Sequence, residues 1–78
     1  MPKVTIYTTP SCVYCKMTKV FFKENDVQYD EKDVSADAVA RDEMISKSSQ
    51  MGVPVIDIDG QLTVGFDKER LSQLLSIK

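Results

Sequence analysis

Hydrophobic and polar positions along the chain follow a strand pattern in four segments. Residues 3–9 ("KVTIYTT") alternate and are rich in β-branched and aromatic residues, which is typical of a strand. Residues 27–34 ("VQYDEKDV") have the same two-residue period, and residues 53–59 ("VPVIDID") are apolar and β-branched. Asp59-Gly60 is a tight-turn signal, so residues 61–65 ("QLTVG") are predicted to form a hairpin with the third strand.

Between the first two strands the apolar period changes to that of a helix, beginning at Cys12. Two neighbouring apolar stripes follow at helical spacing: Val13, Met17, Val20 and Phe21 form one, and Cys15, Thr18 and Phe22 form the other. Because it is apolar on two flanks, we expect this helix to pack tightly against a sheet. Asn25 is expected to end the helix in the left-handed conformation.

Two further helices complete the predicted order. Ser35 is a good N-cap for a weakly periodic helix over about residues 36–48, and Asp67 is expected to cap a last helix. The order β-α-β-α-β-β-α predicts an α/β protein with a parallel, right-handed first β-α-β unit and an antiparallel final hairpin. One mixed four-stranded sheet flanked by helices satisfies these constraints, so we interpret residues 1–78 as a single domain.

Composition excludes several classes of function. The chain has 42% hydrophobic residues and lacks any run of about 18 apolar residues, so no membrane span is expected. Its N-terminus lacks the apolar segment of a signal peptide, which favours a cytoplasmic location. The net charge of −2 argues against non-specific nucleic-acid binding. We expect a monomer.

Charge is nonetheless distributed unevenly along the chain. Residues 1–23 contain four lysines and no acidic residue, whereas residues 24–43 contain eight acidic residues against two basic ones. The sequence "TTPSCVYCKM" (8–17), with both cysteines, therefore lies in the only basic third of the chain. Because there is no histidine, Cys–His catalysis and histidine-containing zinc sites are excluded.

The position of Cys12 and Cys15 indicates redox chemistry. Cys12 comes at the predicted junction of a strand and a helix, where backbone N–H groups and the helix dipole stabilise a thiolate. Cys-x-x-Cys thiols at helix N-termini have pKa values lowered from about 8.5 to about 3.5–7.5. Cys15 follows about one turn later, so the two sulfurs can reach each other. We predict Cys12 to be the nucleophile and Cys15, which lies deeper, to be the resolving thiol.

Other roles for the two thiols are weaker hypotheses. A disulfide that closes so small a loop would constrain the unfolded chain little. A zinc site needs about four ligands, so two thiols supply half of one. Zinc or an iron–sulfur cluster would then require a dimer or an external thiol, and no metal site is predicted within one chain. Pro54, taken alone, is simply a proline at the start of a strand.

Three segments together resemble the glutaredoxins, and most of all the small bacterial glutaredoxin-like proteins. They are "TTPSCVYCK" (8–16), "GVPVIDIDG" (52–60) and "VGFDKERL" (64–71), and the similarity extends over residues 3–76. The resemblance implies a thioredoxin fold and a thiol–disulfide oxidoreductase that uses glutathione as co-substrate and needs no bound cofactor. It also implies a cis peptide bond before Pro54, with the backbone of Val53 turned toward the substrate. By the same resemblance, the residues that would bind glutathione or substrate are Tyr14, Lys16, Val53, Pro54, Phe66 and Asp67.

Departures from the glutaredoxin pattern leave the electron donor open. Thr9 replaces a lysine that binds a glutathione carboxylate in many glutaredoxins, Gly52 replaces a threonine, and Lys68 replaces an acidic residue. Val13 also replaces the proline of the Cys-Pro-Tyr-Cys motif. The Gly-Phe pair at 65–66 instead resembles redoxins that supply ribonucleotide reductase and take electrons from thioredoxin reductase. The alternatives are therefore such a redoxin, or a dimeric iron–sulfur carrier. The expected partners are glutathione or thioredoxin reductase, and disulfide-containing proteins.

Overall fold

A computed structural model of the chain describes residues 3–76 and contains the seven elements in the predicted order. The strands are β1 (Val4–Thr8), β2 (Asp30–Asp33), β3 (Val55–Ile58) and β4 (Gln61–Val64), and the helices are α1 (Val13–Glu24), α2 (Ala38–Ser48) and α3 (Lys68–Leu75). None of the helices in this part of the chain is long and apolar enough to cross a membrane.

The strands form one mixed sheet in the order β2-β1-β3-β4. Strand β1 pairs in parallel with β2 and antiparallel with β3, and β3 pairs antiparallel with β4. The predicted parallel first unit and antiparallel hairpin are therefore confirmed, as is the α/β class with a mixed four-stranded sheet. Because the first and second strands are parallel, α1 must cross from one end of the sheet to the other, which places its N-terminus directly after β1.

Alternation along the central strands divides the core into two clusters. One contains Val4, Ile6, Ile56 and Ile58 of the sheet together with Phe21 and Phe22 of α1 and Leu71 of α3. The other contains Tyr7 and Val55 of the sheet together with Val34 and with Ala40 and Met44 of α2. Helices α1 and α3 thus cover one face of the sheet and α2 covers the other, so the prediction of helices on both faces is confirmed.

Polar contacts between α2 and the sheet also stabilise their packing. The Tyr7 hydroxyl donates a hydrogen bond to Glu43 of α2, and the Lys32 and Lys47 ammonium groups lie 5.7 and 5.8 Å from the centre of the tyrosine ring. Lys47 also pairs with Asp57 at 2.9 Å. The hydrogen bonds from Tyr7 and Lys32 lower the pKa of Glu43 from 4.5 to about 2.

Two of the three helix ends that were predicted from a capping residue need correction. Asp37, not Ser35, is the N-cap of α2, and its side chain accepts a hydrogen bond from the Ala40 N–H at 3.1 Å. Ser35 does not cap the helix, because its N–H and hydroxyl both donate to the Asp33 side chain, at 2.9 and 2.6 Å. After α1 the left-handed residue is Asp26, with φ of 54°, and not Asn25, whose φ is −108°.

Several predicted strands are shorter in the structure. Strand β2 begins at Asp30, three residues after its predicted start, and Val27 and Tyr29, which precede it, pack against the first core cluster. Strand β3 begins at Val55, so Pro54 directly precedes it. The Pro54 carbonyl accepts a hydrogen bond from the Gly65 N–H at 2.8 Å, which ties the segment before β3 to the end of β4.

Only one of the two apolar stripes of α1 is buried. Cys15, Thr18 and Phe22 face the sheet, and Phe21 is buried with them. The other members of the first stripe remain on the surface: Val13 is 65% exposed, Met17 44% and Val20 53%. The helix packs tightly against the sheet as expected, but it buries one stripe and Phe21 rather than both stripes, because a helix lying on one sheet buries a single face.

Candidate active site

Cys12 occupies the N-cap of α1, one position before the first helical residue. Its Sγ accepts a hydrogen bond from the Cys15 N–H at 3.1 Å. In α2 and α3 the same bond is made by aspartates, because Asp37 and Asp67 accept from the N–H three residues later at 3.1 Å each. The sulfur of Cys12 therefore fills the position that helices usually give to an oxygen acceptor. Its backbone N–H donates to the Thr9 carbonyl at 3.3 Å, which fixes the turn after β1.

The two thiols lie in different environments. Both are free, and Cys12 is partly exposed whereas Cys15 is 1% exposed. Burial, followed by the hydrogen bond with the Cys12 sulfur, raises the pKa of Cys15 from 9.0 to about 12. The Thr9 backbone and the Lys19 ammonium group oppose this rise. The pair thus combines an accessible sulfur with one that stays protonated near neutral pH.

A polar cluster, formed by Thr8, Lys19 and Glu31, lies beside the buried thiol of Cys15. It was not predicted from the sequence. The Thr8 hydroxyl and the Lys19 ammonium group both donate to Oε2 of Glu31, each at 2.9 Å. The hydrogen bond from Lys19 lowers the pKa of Glu31, and the same bond raises the pKa of Lys19. The three residues belong to β1, α1 and β2, which are separated in sequence. Their contact depends on the parallel pairing of β1 with β2, which the sequence pattern does not specify residue by residue.

Two of the predicted binding residues line one groove. Lys16 and Phe66 lie together in a groove of about 630 Å³ between α1 and the start of α3. The ring of Phe66 is half-buried and packs edge-on against Phe21, with the ring centres 6.0 Å apart. The rest of this groove was not predicted, because Met17 and Val20 belong to an apolar face of a helix that was expected to pack against a sheet.

The other predicted binding residues surround the site without lining this groove. Tyr14 is 61% exposed in the first turn of α1, and its carbonyl accepts a hydrogen bond from the Thr18 hydroxyl at 2.8 Å. Asp67 is exposed as the N-cap of α3, as expected from the sequence, and its Oδ1 is already bound to the Arg70 N–H.

The segment before β3 has the cis peptide bond that the resemblance to the glutaredoxins implied. The Val53–Pro54 peptide bond is cis, Pro54 is fully buried and Val53 is half-buried. These positions describe where the residues lie; the binding roles of Tyr14, Val53 and Asp67 remain predictions.

Thioredoxin-fold redox proteins combine three features that are all present here. They have an accessible cysteine at a helix N-cap, a buried cysteine one turn later, and a mixed four-stranded sheet with helices on both faces. Comparisons with known proteins narrow this class. The sequence model of the glutaredoxin family matches residues 4–63. The chain therefore belongs to the glutaredoxin family, whose members are thiol–disulfide oxidoreductases.

Relatives and solved structures agree with this assignment. The chain is 43% identical over 72 residues to a glutaredoxin-like 8.6 kDa protein in the rubredoxin operon of Clostridium pasteurianum, covering 92% of this chain and 96% of that protein. It is 37% identical over 67 residues to glutaredoxin 3 of Escherichia coli K12, covering 86% and 81%. A crystal structure of a thioredoxin-like protein, solved as a mutant, matches with a TM-score of 0.93 and 40% identity over the whole of both chains.

Proposed function

We propose that the protein reduces disulfides of proteins, and mixed disulfides with glutathione, through Cys12 and Cys15. The observation that supports this proposal is the unequal placement of two free thiols one helical turn apart. Cys12 is partly exposed at the N-cap of α1, where the dipole and the N–H groups favour negative charge on sulfur. Cys15 is buried behind it.

The exchange proceeds in two steps. The Cys12 thiolate attacks one sulfur of the substrate disulfide, which forms a mixed disulfide and releases the first product as a thiolate. Cys15 then loses its proton to that leaving thiolate and attacks the Cys12 sulfur. The substrate leaves with the second sulfur reduced, and a Cys12–Cys15 disulfide remains. Two electrons have passed from the protein to the substrate.

The burial of Cys15 determines which of the two thiols reacts first. A thiol with a pKa of about 12 stays protonated at neutral pH, so Cys12 is the sulfur that attacks first. Cys15 becomes a competent nucleophile only when the mixed disulfide lies beside it and a base is released there. In this second step the Cys12 sulfur exchanges its bond to the substrate for a bond to Cys15, and the same sulfur accepts the N-cap hydrogen bond, so we expect the first turn of α1 to be the part of the fold that the cycle perturbs.

Glutathione is the electron donor that we propose, on the basis of membership in the glutaredoxin family. Two glutathione molecules would reduce the Cys12–Cys15 disulfide and leave as glutathione disulfide. Lys16 and the backbone of Val53 are the groups that we propose to bind it. Thioredoxin reductase is the second candidate, because Thr9, Gly52 and Lys68 occupy positions where glutaredoxins usually have other residues.

Two parallel reconstitutions that follow NADPH consumption test the proposal and identify the donor. One contains glutathione, glutathione reductase and a small glutathione mixed disulfide, and the other contains thioredoxin reductase and a protein disulfide. We expect turnover in the first and its loss in Cys12→Ser. Cys15→Ser should accumulate protein-linked mixed disulfide, visible by mass spectrometry, and should retain activity only where glutathione itself can resolve the intermediate.

The possible results separate the hypotheses. Turnover only with thioredoxin reductase would replace glutathione as the donor and leave the thiol chemistry in place. Full activity of Cys12→Ser would contradict the assignment of the nucleophile. Anaerobically purified protein that is brown, contains iron and sediments as a dimer would favour the iron–sulfur carrier instead.

A further inference from the structure

The exposed stripe of α1 borders the groove that starts next to the redox site. Val13, Met17 and Val20 all line this groove, and Val13 directly follows Cys12 in the chain. Their exposed fractions of 65, 44 and 53% are high for apolar side chains at consecutive turns of one helix. Apolar surface that is grouped in this way is typical of an interaction site.

Phe66 and α3 form the opposite wall. The half-buried ring of Phe66 and the Ser72 side chain face the α1 stripe across the groove. The groove has a volume of about 630 Å³ and lies alongside α1, whose twelve residues span about 18 Å at 1.5 Å per residue. An extended peptide advances about 3.3 Å per residue, so about five residues fit alongside the helix.

The charges along the groove are uncompensated near the thiols. Lys16 and Lys68 line it, and within residues 3–76 neither takes part in an ion pair. The acidic residue that lines it, Glu24, lies at the far end of α1 from Cys12. A ligand with apolar side chains and a carboxylate near its cysteine is therefore complementary to the groove in both shape and charge.

We propose that this groove binds an extended segment of the substrate protein, about five residues long, with an apolar side chain and a carboxylate next to the cysteine that Cys12 attacks. This proposal rests on the proposed thiol–disulfide function and names the substrate class of the same site. The segment passes from Cys12 over Val13, Met17 and Val20. Lys16 and Lys68 orient it by attracting its carboxylate.

Single-turnover reactions of the pre-reduced protein test the proposal without any choice of electron donor. Three peptides are compared, each with one central cysteine joined to the same chromogenic thiol. In the first the cysteine is flanked on both sides by leucine and glutamate, in the second by leucine and lysine, and in the third by serine and glutamate. The mixed disulfide of that chromogenic thiol with mercaptoethanol serves as a small uncharged reference, and release of the chromophore gives each rate constant.

We expect the leucine–glutamate peptide to react about fivefold faster than the leucine–lysine peptide, as is usual for exposed charge pairs, with a preference that declines as salt is added. We expect it to react about fivefold faster than the serine–glutamate peptide, because an apolar side chain is partly removed from water. Lys16→Glu and Lys68→Glu should each reduce or reverse the charge preference. Val20→Ser should lower the rate ratio of the leucine–glutamate peptide to the small reference.

Lys23→Glu is the matched control, because it makes the same charge change on the same helix but outside the groove. The charge preference should survive in this variant. Equal rates for the three peptides, or a preference that Lys23→Glu removes as completely as Lys16→Glu, would overturn the proposal and leave the thiol chemistry intact. A dimer in sedimentation that Val20→Ser dissociates would also overturn it, since the groove would then be an interface between copies of this chain. Failure to react with the small reference as well would instead refute the proposed function itself.

Discussion

The sulfur of Cys12 serves two purposes, since it is the predicted nucleophile and also the N-cap of α1. Sulfur is a weak hydrogen-bond acceptor, whereas serine and aspartate are among the best N-cap residues. We therefore expect Cys12→Ser to unfold with a free energy at least equal to that of the reduced wild-type protein. Cys12→Ala, which removes the acceptor of the bond from the Cys15 N–H, should be the least stable of the three.

The expected magnitude follows from the single hydrogen bond that differs. Replacing a serine N-cap by alanine costs about 1 kcal/mol, with a range of roughly 0.5–2 kcal/mol. For a chain of this size the total free energy of unfolding is on the order of 4–12 kcal/mol, so the difference is readily measured. With a urea dependence of about 1 kcal/mol per molar, the midpoints of Cys12→Ser and Cys12→Ala should differ by about 1 M.

Urea unfolding followed by far-ultraviolet circular dichroism, with reductant present, measures these midpoints. Asp67→Ser and Asp67→Ala give the matched comparison at α3, whose N-cap makes the same kind of bond at the same 3.1 Å distance. If the two Cys12 variants had the same midpoint while the two Asp67 variants differed by about 1 M, the side chain at position 12 would not cap α1 in solution. The reasoning about how the fold holds its nucleophile would then be wrong.

Three further predictions concern groups away from that cap. In reducing buffer the free energy of unfolding should fall from pH 9.0 to about 12, because the unfolded chain releases the Cys15 proton near 9.0 while the fold retains it up to a pKa of about 12. Cys15→Ala should flatten this fall in urea titrations at a series of pH values, and an unchanged slope would contradict the burial argument. In acid, the Glu43 carboxylate stabilises the fold above pH 4.5, and this contribution is lost as the pH falls toward its lowered pKa of about 2. Glu43→Gln should therefore have a lower free energy of unfolding at pH 7 than the wild-type protein, and that free energy should fall less between pH 4.5 and about 2. Parallel curves of unfolding free energy against pH for the two proteins would refute this. Phe22→Ala should cost about 3–5 kcal/mol in the same assay, since Phe22 is 0% exposed and contacts Phe21 and Tyr29, whereas Val20→Ala on the exposed side of α1 should cost far less.

Local spacing was enough to predict the elements and the redox pair. The alternation of β1, the change of period at Cys12 and the turn at Asp59-Gly60 each act within a few residues, so the order of elements and the mixed sheet could be predicted. Asp67 was correctly predicted as the cap of α3 because no other good capping residue lies beside it. The position of Cys12 before Cys15 at a helix start followed from the same local signals.

Features that depend on contacts between elements distant in sequence could not be predicted from local sequence patterns. The sequence suggested Ser35 as the cap of α2, but Ser35 donates to the Asp33 side chain through both its N–H and its hydroxyl, and Asp37 caps the helix instead. Which apolar stripe of α1 is buried depends on where α3 lies, because α3 and the sheet together leave one flank uncovered. The contact of Thr8 with Glu31 required the register in which β1 and β2 pair.

The composition of strand β2 affects how readily another strand can pair with the sheet. It forms one edge of the sheet, and its four residues are Asp30, Glu31, Lys32 and Asp33. An unprotected edge strand is a template on which strands of other chains can add, and charged side chains along it oppose such pairing. At this edge every side chain is ionisable, so another strand could add only by placing its side chains against a row of charges. The charged side chains of β2 thereby oppose the addition of another strand at this edge, whereas the apolar side chains of α1 that follow Cys12 are exposed.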